Sequence, residues 1–143
     1  MTLAARVKQD LTSAMKAGEK DRVGALRLVL SELQKAAKDG GDDEQAVLRR
    51  ERKRRHEAAA AFRSGGRPEL ADAEEAEAEV IAAYLPAELS DDELRAIVAQ
   101  AVAQTGASSP KDMGQVMKAA MPQVAGRADG KRVSALAQEA LRG

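Results

Sequence analysis

The sequence of 143 residues contains no cysteine and no tryptophan, and it has only one histidine, one phenylalanine and one tyrosine. The lack of cysteine excludes disulfides, thiolate metal sites and cysteine nucleophiles, and it is typical of a reducing compartment, so we expect a cytoplasmic protein. A single histidine, His56, cannot build a histidine-based zinc site or nucleophile relay. With so few aromatic residues, the core is expected to consist of Ala, Leu, Val and Met.

An excess of one charge and a long apolar run are also missing. Lys and Arg number 23 and Asp and Glu number 23, so the total charge indicates no particular partner. No run reaches the roughly 20 apolar residues of a membrane span, and the first ten residues lack the apolar centre of a signal peptide. We therefore expect no membrane partner. Hydrophobic residues make up 44% of the sequence, which is enough to form the core of one domain or of two small ones.

What the sequence does contain is helical periodicity, because apolar residues recur at three- and four-residue spacing and no alternating strand pattern competes. Caps, prolines and glycines divide the first part of the chain into four long helices. We predict these helices from Thr2 to Gly18, from Asp21 to the pair Gly40 and Gly41, from about residue 43 to residue 63, and from Pro68 to Tyr84.

A boundary is predicted at Pro86, which precedes a capping box formed by Ser90 and Glu93. Beyond it we expect three shorter helices: one from Ser90 to Gly106, one from Ser109 that stops at Pro122, and one after the turn at residues 126–130. The sequence therefore predicts an all-α fold. An N-terminal bundle of long helices occupies residues 1–86, and a small three-helix tail domain occupies residues 87–143.

The densest charge lies in residues 49–57, where nine polar or charged residues are consecutive and six of the first seven are basic. One interpretation is a phosphate-contacting surface, because clustered basic residues release counterions from nucleic acid. The interpretation we favour is an antiparallel hairpin with the acidic helix that follows, since charge runs are mostly solvated faces. As an RNA-binding patch the run is the weaker candidate, and its basic residues are Arg49, Arg50, Arg52, Lys53, Arg54 and Arg55.

A second basic segment lies in the predicted tail, where residues 109–143 carry six basic and three acidic residues. Asp129 can cap the last helix, and basic side chains beside a helix N-terminus can bind phosphate. On residue chemistry alone, a plain capped turn is the favoured interpretation. The candidate phosphate contacts are Lys111, Lys118, Arg127, Lys131 and Arg132. Because the side chains of Arg127, Lys131 and Arg132 lie outside the apolar stripes, we expect their joint replacement to leave the fold unchanged.

No set of residues forms a recognisable active site. His56 has no second histidine, no cysteine and no evident serine relay, and its basic neighbours indicate a surface position. Acidic pairs fall at predicted helix starts, where carboxylates are favoured in any case. We therefore predict no catalytic residue, no metal ion and no cofactor. One further pattern is a four-residue methionine repeat, typical of core packing or, alternatively, of an adaptable partner groove: Met113, Met117 and Met121.

Two parts of the sequence resemble the GatB/YqeY family. The family's C-terminal signature is matched by residues 108–117, continuing through Met121-Pro122 to residues 126–130. The free-standing YqeY-like proteins are matched upstream by Lys20-Asp21-Arg22, Leu26-Arg27 and Tyr84-Leu85-Pro86 with the capping box after it. The resemblance covers nearly the whole chain and departs from the family pattern in the Ala-rich helices and at Pro110.

The resemblance implies an all-α protein with an N-terminal helical domain and a smaller tail. The related tail ends the B subunit of the tRNA-dependent amidotransferase, where it helps to hold the tRNA, whereas the catalytic core of that subunit has no counterpart in these 143 residues. The implied function is an accessory protein that binds tRNA or another structured RNA through its tail. By family, it is linked to carbon-nitrogen ligases with glutamine as amido-N donor.

Two other classes of function stay open. The chain is alternatively a protein-interaction module that docks an amidotransferase or another partner through the tail without RNA contact. A third, less favoured class is an enzyme in its own right, which the missing nucleophile argues against. The scarcity of aromatic residues argues against single-strand stacking and favours recognition of phosphates or shape.

Overall fold

The computed structural model describes residues 1–40 and 43–142, and within these ranges it is all-α, with no strand. The predicted fold class is therefore confirmed, whereas Gly41, predicted to help close the second helix, lies outside the described residues. The chain divides into two compact units, the first of which is Met1–Pro86 and the second of which begins at Ala87. None of the described helices is long and apolar enough to cross a lipid bilayer.

The first unit consists of four helices, each close to its predicted position. The second of them begins at Lys20, so Asp21 lies in its first turn rather than before it. The helix bounds are α1 Leu3–Ala17, α2 Lys20–Lys38, α3 Glu44–Ser64 and α4 Pro68–Ala82.

Caps explain where these helices start and stop. The Thr2 hydroxyl accepts a hydrogen bond from the Ala5 amide at the start of α1, and Gly18 ends that helix with a φ of 71°, a left-handed conformation that glycine adopts without steric cost. Asp43 accepts from the Ala46 amide at the start of α3. Pro68 occupies the first turn of α4, where the absence of its N–H costs no helical hydrogen bond.

The core of the first unit lies where α1, α2 and the start of α3 meet the end of α4. It is aliphatic except for one aromatic side chain, Tyr84. Most of its members are Ala, Leu or Val, as expected from the composition. The buried residues of this cluster are Val7, Ala14, Leu26, Val29, Leu33, Val47, Leu48, Ile81 and Tyr84.

A tertiary cap ties the start of α1 to the start of α3. The two carboxylate oxygens of Glu44 accept hydrogen bonds from the backbone amides of Leu3 and Ala4, at 3.0 and 2.8 Å. These amides are among the four at a helix N-terminus that have no partner within the helix. A negative charge at this end is also favoured by the helix dipole. Glu44 therefore caps the N-terminus of α1, although it lies about 40 residues further along the sequence.

Replacing Glu44 with alanine is expected to lower the free energy of unfolding by about 1–2 kcal/mol, because two charge-assisted hydrogen bonds are lost. Urea unfolding followed by far-ultraviolet circular dichroism measures this loss. Gln45→Ala is the matched control, since Gln45 is the exposed neighbour in the same turn and its replacement should change stability by less than about 0.5 kcal/mol. Equal stability of Glu44→Ala and wild type would contradict the capping role.

The second unit consists of three helices preceded by short connecting segments. Ser90 and Glu93 form the predicted capping box at the start of the first of them, which ends at Gly106 with a φ of 68°. A single 3₁₀ turn, Pro110–Asp112, leads directly into the second helix. The bounds are α5 Asp91–Thr105, α6 Met113–Val124 and α7 Gly130–Arg142.

The prediction that Pro122 stops the second helix of this unit is wrong, because α6 continues through Pro122 to Val124. A proline in the last turn removes only one backbone hydrogen bond, and continuing the helix places Val124 in the core with no exposed surface. The helix ends at Ala125 and Gly126, both in the left-handed region, with φ values of 51° and 78°.

The core of the second unit is formed by one face of each of its helices, together with Leu89 from the segment before α5. It contains no aromatic residue. Its buried members are Leu89, Leu94, Val98, Ala101, Val116, Ala120, Val124, Ala128, Val133, Ala137 and Leu141.

Candidate nucleic-acid interface

The basic run on α3 is centred on a carboxylate that α3 itself supplies. Glu51 is 3% exposed, and its two oxygens accept hydrogen bonds from Arg54 at 2.8 Å and from Arg55 at 3.0 Å. A charge buried to this extent needs ionic partners. Two of the six basic residues of the run therefore neutralise a buried charge of their own helix.

Arg55 also joins α3 to the acidic helix α4. Its guanidinium lies 3.5 Å from a carboxylate oxygen of Glu74 and 3.7 Å from one of Glu77. Burial alone would lower the pKa of Arg55, but the hydrogen bond to Glu51 and the three carboxylate charges outweigh it and raise the pKa. Burial, followed by the neighbouring charge of Glu74, raises the pKa of Glu77.

Further side-chain contacts join the same two helices. His56 Nδ1 lies 2.9 Å from Glu75, and Arg63 donates to Asp72 at 3.2 Å near the turn. Because positions closer to the turn on α3 meet positions closer to the turn on α4, the two helices run antiparallel. The favoured prediction of a charge-paired hairpin is thus confirmed, while RNA binding by the six basic residues of the run stays a prediction.

The two arginines predicted to contact phosphate in the tail are both engaged within the second unit. Arg127 Nε donates to the Ala87 carbonyl at 2.9 Å, and Arg132 Nη2 donates to the Leu89 carbonyl at 3.0 Å. Arg132 also donates to Asp91 at 2.7 Å. The Leu89 amide in turn donates to the Arg127 carbonyl at 2.8 Å. These contacts hold the segment before α5 against the α6–α7 turn.

This arrangement argues against the expectation that Arg127, Lys131 and Arg132 can be replaced together without effect on the fold. Replacing Arg127 or Arg132 removes hydrogen bonds to backbone carbonyls, each worth about 1 kcal/mol. The hydrogen bond from Arg132 and its charge also lower the pKa of the Asp91 carboxyl. A sequence gives no signal for a carbonyl partner about 40 residues away, so these roles were missed.

The three tail lysines are placed differently. Lys111 lies in the 3₁₀ turn, Lys118 on α6 and Lys131 in the first turn of α7, and all three side chains are exposed. Within residues 1–40 and 43–142, none of the three forms a salt bridge. Asp129, predicted to cap α7, accepts from the Lys131 amide at 3.1 Å. Of the five candidate phosphate contacts in the tail, the three lysines are therefore the ones available to an external anion.

The candidate catalytic and metal-binding groups are the single histidine and the acidic residues in the described part of the chain. His56 is exposed, as predicted, and no cluster of three or more His, Cys, Asp or Glu there is arranged to hold a metal ion. Met113 and Met117 pack partly against the core of the second unit, which confirms core packing for these two. Met121 is 36% exposed.

The described residues form a small all-α protein with two helical units. Its α3–α4 hairpin is charge-paired, and three lysines of its C-terminal unit form no salt bridge with any described residue. The model of the Yqey-like protein family matches residues 4–141. The chain therefore belongs to the YqeY-like family, as the resemblance predicted. No curated protein matches it.

Proposed function

We propose that this YqeY-like protein is an accessory protein that binds tRNA or another structured RNA through its C-terminal unit. The observation that carries the proposal is the set of three exposed lysines, Lys111, Lys118 and Lys131, none of which has a carboxylate partner within the described residues. Free cations on a surface are the groups that release counterions when they meet phosphates.

The hydrogen bonding of two carboxylates in residues 109–143 supports the same proposal. Asp112, next to Lys111 in sequence, accepts from the Ser108 and Ser109 amides, and Asp129 accepts from the Lys131 amide. Capping leaves these carboxylates less able to compete with phosphate for the lysines. Arg127, whose side chain donates to a neutral carbonyl, adds positive potential beside the α6–α7 turn, whereas the charge of Arg132 is paired with Asp91.

The proposal concerns phosphates and shape rather than base stacking. The chain has one tyrosine, one phenylalanine and no tryptophan, and Tyr84 is buried in the core of the first unit. Proteins that bind single strands rely on aromatic side chains for stacking. A structured RNA with a continuous phosphate edge is therefore the favoured ligand, and weaker contact through Arg49 and Lys53 on α3 is included as a secondary patch.

The connection to tRNA-dependent amidotransferases belongs to the proposal through the family resemblance. We expect no glutamine hydrolysis and no amide transfer by the chain alone, since it contains no cysteine and since its one histidine, His56, contacts Glu75 and no serine within the described residues. The activity of a carbon-nitrogen ligase with glutamine as amido-N donor belongs to the related complex.

We also propose a cytoplasmic location, because a chain without cysteine is typical of a reducing compartment.

A second candidate function is a protein-interaction module that docks an amidotransferase or another partner. The observation that favours it is Met121, one of three exposed large hydrophobic residues among those described. Methionine is common at adaptable binding surfaces. One such side chain on α6 supports this function less strongly than three unpaired cations support RNA binding.

Replacing Lys111, Lys118 and Lys131 together with glutamine is expected to weaken binding of a labelled tRNA transcript at least about tenfold at low salt. The slope of log affinity against log salt should fall by roughly 0.7–0.9 for each lost phosphate contact. Fluorescence anisotropy over a range of NaCl concentrations measures both quantities. Because phosphate contacts carry no sequence information, different tRNAs should be affected alike.

The matched control replaces three other exposed cations, Lys16, Arg95 and Arg142, with glutamine and so changes the net charge equally. This control should bind tRNA nearly as wild type does. If wild-type protein shows no tRNA binding at low salt, the RNA proposal is wrong and the protein-interaction candidate takes its place.

A further inference from the structure

Four basic residues that are scattered in sequence lie on one outward face of α2. They occupy positions 20, 27, 35 and 38 of a helix that advances 100° and 1.5 Å per residue, so they fall within an arc of about 80° over a length of about 27 Å. Each of their side chains is exposed. We call them the α2 row: Lys20, Arg27, Lys35 and Lys38.

The opposite face of α2 is buried, which explains why the row faces solvent. Leu26, Val29 and Leu33 point into the core of the first unit, with exposures of 3% or less. The acidic residues Asp21 and Glu32 of α2 and its C-cap residue Asp39 lie to one side of the row. The hydrophobic core thus fixes the rotation of the helix and presents the row to solvent.

The row differs from the basic run of α3 in its pairing. Arg54 and Arg55 on α3 neutralise Glu51, whereas no member of the α2 row forms a salt bridge or a side-chain hydrogen bond within residues 1–40 and 43–142. The basic run of α3 is therefore paired, through Arg54 and Arg55, with a carboxylate of its own helix. The cations of the α2 row have no such pairing among the described residues.

The residues between the cations have short side chains or none. Gly24 and Ser31 lie within the same arc, and both are exposed. A Cβ added to Gly24 would meet no atom within 4 Å, so nothing overhangs the helix at that point. A rigid, extended ligand can approach the backbone of α2 closely while the longer Lys and Arg side chains reach it from both ends.

We infer that the α2 row is a second RNA-contacting surface, which follows the phosphate backbone of a structured RNA. A nucleic-acid strand offers a continuous edge of negative charge, so a straight row of unpaired cations can meet several phosphates at once. A membrane surface fits less well, because none of the exposed large hydrophobic residues lies on α2 and interfacial helices insert such residues.

The inference rests on the proposed function for the class of ligand, but it concerns different residues. Its test replaces Lys20, Arg27, Lys35 and Lys38 with glutamine, a good helix former. Anisotropy of a labelled tRNA transcript should show a loss of affinity on the order of 100-fold at about 0.1 M salt and a salt slope lower by roughly three. The far-ultraviolet circular dichroism and unfolding midpoint should stay as in wild type.

The matched control replaces four exposed cations of the same unit that lie off the row and outside the α3 run, Lys8, Lys16, Arg63 and Arg67. It has the same net charge as the row variant. Wild-type affinity in this control, together with the loss in the row variant, supports the inference. An equal loss in both variants would overturn it, because total charge and not the row would then govern binding.

The remaining outcomes separate this inference from the proposed function. If the row variant binds as wild type while the Lys111, Lys118 and Lys131 variant is weakened, the inference is wrong and the tail proposal stands. If wild type binds no tRNA at low salt, both are wrong. If wild type binds vesicles of phosphatidylserine and phosphatidylcholine through the row and binds no RNA, the surface belongs to membranes and the inference is likewise overturned.

Discussion

Replacing Arg55 with alanine is expected to lower the free energy of unfolding by about 3 kcal/mol. The substitution leaves the buried carboxylate of Glu51 with Arg54 as its remaining cation, and removing one partner of a buried ion pair costs about 3–5 kcal/mol. The lower end of that range is expected because Arg54 keeps its 2.8 Å contact and because the Arg55 side chain is 20% exposed.

Urea unfolding of Arg55→Ala measures this loss. Lys53→Ala is the matched control, because Lys53 is an exposed residue of the same helix and its replacement should change stability by less than about 0.5 kcal/mol. The double variant Glu51→Leu with Arg55→Met replaces the pair by apolar residues and should recover most of the loss. Similar stability of Arg55→Ala and Lys53→Ala would show that the Glu51 charge is not buried in solution.

Replacing Tyr84 with alanine is expected to cost about 3–4 kcal/mol, the range for removing an aromatic side chain from a core. Tyr84 is 5% exposed, its hydroxyl donates to Asp10, and the Arg6 guanidinium lies 5.2 Å from the centre of its ring. Tyr84→Phe keeps the ring and the cation–π contact and removes only the hydrogen bond, so it should cost about 1–2 kcal/mol. Equal losses of stability in Tyr84→Ala and Tyr84→Phe would contradict the larger contribution expected from the ring.

The same residue gives a pH prediction with a direct optical readout. Burial, followed by the hydrogen bond to Asp10 and the negative charge of Asp10, raises the pKa of Tyr84 well above the usual value for tyrosine. A group whose pKa is higher in the folded state contributes stability below its unfolded pKa and loses it as the pH rises through the folded one. Stability should therefore fall with pH in the alkaline range above the ordinary tyrosine pKa.

Because Tyr84 is the only tyrosine and there is no tryptophan, near-ultraviolet absorbance of the phenolate reports this group alone. The folded protein should ionise at higher pH than the urea-unfolded chain, and Asp10→Asn should narrow the difference. Identical titration curves for folded and unfolded protein would contradict the buried, hydrogen-bonded placement of the tyrosine hydroxyl.

The sequence by itself determined the helices and most of their ends. Apolar spacing depends only on local geometry, and caps such as Thr2, Gly18 and the Ser90–Glu93 box act within one turn, so both can be read from neighbouring residues. The family followed from the motifs around residues 108–130 and Tyr84-Leu85-Pro86. The helix end predicted at Pro122 was wrong because the prediction used a local rule, whereas burial of Val124 decided the outcome.

Only the tertiary structure decided which charges are free. Glu44 caps a helix that begins 41 residues earlier, Arg127 and Arg132 donate to backbone carbonyls near α5, and Arg55 joins two helices around the buried Glu51. The α2 row emerges in the same way, since its cations are far apart in sequence and become neighbours when the core fixes the rotation of α2. Pairing and exposure depend on contacts distant along the chain, and a sequence records the charges without recording these contacts.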